Sequence, residues 1–94
     1  MKKINILDKE YELIEDNGDC FDYDVFKELY TDYFYDFDYI VGDIAYNKLR
    51  LKGFCDKKNK RYTSINDFSK KDEYIKLQCA YNCKYFVLKK VKKA

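Results

Sequence analysis

Ninety-four residues are enough for one small domain, residues 1–94, and eleven Tyr with seven Phe are far more aromatic content than a disordered chain carries. No apolar run approaches the roughly 18 residues that a membrane span needs, and the absence of histidine excludes His-based nucleophile activation and general-base chemistry. The net charge of +2 hides a polarity: residues 1–46 hold 4 Lys against 13 Asp and Glu, while residues 47–94 hold 15 Lys and Arg against 4 Asp and Glu.

In chain order, Lys3–Leu7 and Tyr11–Ile14 alternate at period two on either side of Asp8-Lys9, which predicts a first hairpin. The basic start of Met1-Lys2-Lys3 has no signal-peptide h-region behind it, because Asp8-Lys9-Glu10 ends the apolar run. The expected location is therefore the cytoplasm. Asp16-Asn17-Gly18-Asp19 reads as a turn, since Asn-Gly readily supplies positive φ. Asp22 or Asp24 then caps a helix whose stripe is Val25, Phe26, Leu29, Tyr30, Tyr33 and Phe34.

The central segment predicts a hairpin spanning residues 39–54, with strands Tyr39–Ala45 and Lys48–Phe54 joined by Tyr46-Asn47. That loop sets Ile44 against Leu49 and Gly42 against Leu51 on one side. It sets Asp43 against Arg50 and Val41 against Lys52 on the other. Residues 56–61 form a polar loop, Tyr62–Ile65 a short strand, and Ser69–Asp72 the opening of a second helix that carries Tyr74, Ile75 and Leu77. Lys84–Val91 is the final strand, and residues 92–94 fray. The expected class is α+β: a mostly antiparallel sheet of about five strands packed with two helices.

Four cysteines, Cys20, Cys55, Cys79 and Cys83, stand without histidine partners. Structural zinc sites use two close pairs or a pair plus histidines, so no metal and no cofactor are expected. Cys79 and Cys83, four apart, read as small residues marking a helix-to-strand turn. A redox pair is the competing reading, but Cys79 lies toward a helix C-terminus, the pole that disfavours a thiolate.

The stretch Tyr39-Ile40-Val41-Gly42-Asp43, with Tyr46 and Leu49-Arg50-Leu51-Lys52-Gly53-Phe54 after it, resembles the YutD-like family. So does Cys79-Ala80-Tyr81-Asn82-Cys83 before the strand Lys84–Leu88. Two departures stand out. Ile44-Ala45 occupies the place of a common Trp-Gly, and Ala80-Tyr81-Asn82 replaces Asn-Phe-Gly between the cysteines. The resemblance implies a compact α+β domain of low-GC Gram-positive bacteria, of unestablished biochemical function.

The chain holds no Gly-x-Ser-x-Gly elbow, phosphate-binding glycine loop or metal-ligand cluster. The expectation is a non-enzymatic accessory domain that contacts a protein or RNA through its basic second half. Its candidate binding residues are Tyr46, Lys48, Arg50, Lys52 and Arg61. With 17 Lys and only 2 Arg in the chain, Arg50 and Arg61 stand out, since a guanidinium fork cannot be replaced by lysine. Asp43 gives Arg50 a cross-strand partner, whereas Lys52 has none in this register. The alternative is an acidic decoy: the carboxylates and rings of residues 19–38, carried on a helix, imitate a nucleic-acid backbone and inhibit a DNA-handling enzyme.

Overall fold

In the computed structural model, which describes residues 2–45, 47–78 and 84–91, five strands form one antiparallel sheet. The strands are β1 (Lys2–Ile6), β2 (Lys9–Asn17), β3 (Tyr39–Ala45), β4 (Lys48–Phe54) and β5 (Tyr85–Lys90), in the order β1-β2-β5-β3-β4. Helix α1 (Tyr23–Leu29) and a 3-10 turn at Asp32–Phe34 cover one face. A second 3-10 turn at Phe68–Lys70 and helix α2 (Lys71–Gln78) cover the other. The α+β class, the five strands and the two helices are as the sequence predicts.

The hairpin register is also the predicted one: Ile44 faces Leu49, Gly42 faces Leu51, Asp43 faces Arg50 and Val41 faces Lys52. Asn47 in the loop takes φ 63°, a left-handed conformation that asparagine tolerates better than most residues. Gly42 sits under the Phe86 ring, where a Cβ would overlap the ring atoms. A glycine in this central strand is therefore a packing requirement, because only a bare backbone lets β5 seat its aromatic.

Three local expectations are corrected. The first hairpin turns at Leu7-Asp8 rather than Asp8-Lys9, with Ile6 opposite Lys9 and Leu7 exposed at φ 51°. The stripe of residues 25–34 does not make one helix. Asp22 caps α1 by accepting from the Asp24 and Val25 amides, but Tyr30 is extended and the chain restarts at Asp32. Thr31-Asp32 favours cap geometry over helix interior. The break also lets Tyr30 reach inward, where its hydroxyl hydrogen-bonds that of Tyr11 at 2.7 Å in the core. Tyr62–Ile65 is not a strand: Thr63 and Asn66 bond each other around a tight turn, and the strand-like contact falls at Asp67, which bridges Cys55.

β2 carries a register shift between Leu13 and Glu15. In a regular strand Glu15 shares the face of Leu13. The extra residue at Ile14 turns Glu15 to the opposite face. There it pairs with the Lys71 ammonium at the start of α2 and accepts a hydrogen bond from the Tyr85 hydroxyl at 3.1 Å. One bulge thus supplies the anchor of the second helix.

Candidate functional site

The α2 side of β4 carries the candidate residues. Alternation places Lys48, Arg50 and Lys52 on one face of the strand. Asp43, on β3 directly across, is fully buried, and Arg50 Nη2 donates to its Oδ2 at 2.5 Å. The Arg50 side chain stays 43% exposed. The result is a guanidinium held from below by an inaccessible carboxylate and open to solvent above. A fork fixed this way loses less entropy on meeting an anion than a lysine does.

Lys52 differs from the expectation drawn from register alone. Its Nζ lies 5.5 Å from the ring centroids of both Phe54 and Tyr74, a cation between two aromatic faces. The partner the hairpin lacks comes from α2. Burial pushes the Tyr74 phenol above its ordinary range, Asp43 adds to that, and Arg50 opposes it. Lys48 is exposed at the start of β4. Tyr46, Cys79 and Cys83 lie outside the described residues.

Arg61 belongs to a different cleft. Residues 56–61 fold over a hollow of about 730 Å³ lined by Lys57, Lys58, Lys60, Arg61 and Lys90, with Asp36, Asp38 and Asp56 among them. Arg61 pairs with Asp36 at 3.1 Å, both side chains being exposed. Asp38 accepts from the Asp56 amide at 2.8 Å and the Asn59 side chain at 3.0 Å, which ties the loop down. The structure therefore brings Arg50 and Lys52 together and leaves Arg61 apart.

A groove of about 620 Å³ runs along the outer side of β4. Arg50, Lys52 and Tyr74 line one wall; Tyr33, Phe37 and Ile65 contribute apolar surface. Tyr33 and Ile65 are strongly exposed. Sequence reasoning missed both. The helical stripe assigns Tyr33 to the core of one long helix, and period-two alternation assigns Ile65 to a strand that does not form.

Part of the charge polarity resolves into internal pairing. Among the described residues, three ion pairs join the two halves: Arg50 with Asp43, Arg61 with Asp36 and Lys71 with Glu15. Between residues 19 and 38 the rings of Phe26, Tyr30, Phe34 and Phe37 are buried core. Asp22 is spent on a helix cap and Asp38 on a loop. The carboxylates do not share one helix face, because the helix stops at Leu29.

Cys20 and Cys55 are free thiols. Burial, with Asp16 nearby, raises the Cys20 thiol to about 11, and burial raises Cys55 too. Both are held as thiols, the form that is neither nucleophile nor ligand. No group of three or more metal-ligating side chains occurs among the described residues, and none of their helices is long and apolar enough to cross a membrane.

A family model described as "YutD-like: Putative antitoxin YutD-like" matches residues 5–89. A curated protein of Bacillus subtilis (strain 168), "Putative antitoxin YutD", is 44% identical over 90 residues, covering 96% of this chain and 99% of its own length. The solution NMR structure of protein yutD from B. subtilis superimposes with a TM-score of 0.82 at 43% identity, covering 99% of this chain and 84% of that one.

Proposed function

The chain belongs to the YutD-like family, and on that premise we propose that it is a non-enzymatic, cytoplasmic binding domain whose partner is a protein. It engages that partner through Lys48, Arg50 and Lys52 on β4. The observation that carries this reading is the Arg50–Asp43 pair, in which a buried carboxylate orients a half-exposed guanidinium. Such a fork suits carboxylates and other planar anions. The word antitoxin in the name of the B. subtilis relative favours a protein partner, since an antitoxin is defined by what it neutralises. The intermixed carboxylates of the Arg61 cleft disfavour a continuous phosphate track.

The test is cross-linked capture from host cells by the tagged chain, with and without nuclease. A specific protein should be recovered under both conditions, and Lys48→Glu with Arg50→Lys should reduce its recovery severalfold. Arg50→Lys keeps the charge over Asp43 while removing the fork, so the fold survives. Recovery of nucleic acid alone, lost on nuclease treatment and falling steeply with salt, overturns the protein reading and establishes RNA instead. Unchanged recovery by the double variant removes β4 from the site.

A further inference from the structure

β4 is an edge of the sheet, and its backbone groups alternate between β3 and the open side. The Cys55 amide donates to the Asn66 carbonyl at 2.8 Å, and the Cys55 carbonyl accepts from the Phe68 amide at 3.1 Å. Cys55 therefore turns its backbone away from β3. Ile44 turns toward β5, since its amide donates to the Lys84 carbonyl at 3.0 Å, so its neighbour Asp43 turns toward β4. Both observations give one alternation. Lys48, Arg50, Lys52 and Phe54 bond inward to β3, and Leu49, Leu51 and Gly53 point their N–H and C=O groups outward. Among the described residues, no strand pairs with that outer edge.

The chain itself begins to fill the position. Residues 66–68 join the edge at Cys55 as a single parallel bridge, then stop. The segment before them veers away around the Thr63–Asn66 turn. Between that turn and β4 lies the groove of about 620 Å³. Its inner wall is the outer backbone edge of β4, along which Leu51 and Lys52 stay partly exposed while Gly53 is buried. Arg50, Lys52 and Tyr74 stand on the α2 side, and Tyr33, Phe37 and Leu51 on the α1 side, with Ile65 from the turn.

We propose that this edge accepts one extended segment of a partner protein as a sixth strand, a segment whose side chains alternate between acidic and apolar. The inference rests on the protein-binding reading above and names how the partner is held. Strand addition supplies main-chain hydrogen bonds, and alternate side chains supply specificity. A strand at this position sends successive residues to opposite faces. One set meets the cations of Arg50 and Lys52; the other meets Tyr33, Leu51 and Ile65. A second copy of the chain does not fit. Antiparallel pairing of two β4 strands centred on Leu51 sets Arg50 against Lys52 of the second copy. Pairing centred on Arg50 opposes two guanidinium groups. Like charges directly opposite each other are destabilising. Lysines on an edge also guard against aggregation. Edge protection alone, however, does not call for two large exposed apolar side chains, Tyr33 at 63% and Ile65 at 77% exposure, beside the same strand.

The experiment uses the full chain and two synthetic decapeptides, one alternating Glu and Val, the other alternating Lys and Val. Amide hydrogen exchange is followed residue by residue. The Glu–Val peptide should slow exchange at Leu49 and Leu51 by about tenfold when nine-tenths of the chain is bound, with little change at Lys48, Arg50 and Lys52. The Lys–Val peptide should leave all five unchanged. N-methylation of alternate Glu–Val amides should abolish the slowing without any change to the protein. Slowing absent, equal for both peptides, or spread over both sets of amides overturns the proposal. So does sedimentation as a dimer with the Leu49 and Leu51 amides already protected, because the occupant is then a second copy. Leu51→Pro, its fold verified by circular dichroism, separates the two readings. If the captured partner persists in Leu51→Pro but is lost in the Lys48→Glu, Arg50→Lys variant, the edge fails and the protein-binding reading stands.

Discussion

Under α1 the sheet presents Ile4, Ile6, Tyr11, Ile40, Phe86 and Leu88, and the covering segment answers with Phe26, Tyr30, Phe34 and Phe37, all buried. Under α2 it presents Val41, Phe54 and Val87, and among them Asp43, Glu15 and Lys52, each matched to a specific group. The first face is held by area and shape. The second is held by positioned charges and by rings that meet cations. Apolar burial is non-directional, so it stabilises a fold without fixing any one polar atom. Charge pairs contribute less net stability, because desolvation offsets them, but they fix geometry. One sheet thus divides the work: the α1 face supplies stability, and the α2 face sets the position of Arg50 and Lys52 on the open edge.

The comparison breaks most readily at Phe86, whose ring covers Gly42 and meets Phe21 and Phe26 edge-on. Phe86→Ala should cost about 3–5 kcal/mol, because the bare glycine beneath cannot collapse into the space. Urea denaturation measures it. A cost near 1 kcal/mol would mean that the α1 face is not the main source of stability.

A smaller effect is expected on the other face. Arg50→Met leaves the buried Asp43 carboxylate without its guanidinium and should cost about 2–3 kcal/mol, below the range for fully buried pairs because Arg50 is half in water. Asp43→Leu combined with Arg50→Met should cost less than the sum of the single changes, since neither charge is then left without the other. Strict additivity in that cycle would show that the pair is incidental. For the same reason Arg50→Glu is a poor probe of binding: it sets two carboxylates against each other and damages the fold before it tests any partner.

Legibility in the sequence follows the range of the interactions. The hairpin of residues 39–54 was readable to the residue, because strict alternation from Lys48 to Leu51 and a two-residue loop leave one register that aligns the apolar sets. The Asp43–Arg50 pair came with it. The register correctly leaves Lys52 without a charged partner across the hairpin, but its contact with Tyr74 was not legible, because Tyr74 arrives from a helix twenty-two residues on and strand register is silent about what covers a face. The bulge at Ile14 has no compositional mark, so the turn of Glu15 toward Lys71 was invisible. The helix break at Tyr30 was hidden by the aromatic stripe itself, since Tyr33 and Phe34 continue the helical spacing while serving a separate turn. The groove on β4 needed the failed strand at Tyr62–Ile65 to be seen as a turn.

The smallest effect concerns the loop that closes one end of that groove. Asp67 accepts from the Ser69 amide and hydroxyl at 2.9 and 2.8 Å and from the Tyr62 hydroxyl at 2.8 Å. The Ser69 hydroxyl, then the Tyr62 hydroxyl and the Ser69 amide, hold its carboxyl down to about 2 from an ordinary 3.8. A depressed folded-state value means that the contribution of Asp67 to stability is complete above about pH 4 and is lost as pH falls toward 2. Asp67→Asn keeps the amide cap but removes the titration, so its urea midpoint should change less between about pH 5 and about pH 2.5 than that of the parent chain. Parallel pH profiles for the two would show that the carboxylate is not what fixes the turn. If they diverge as expected, acid should also loosen residues 62–68 ahead of global unfolding, and exchange at the Cys55 and Phe68 amides, which hold this segment to β4, should accelerate first.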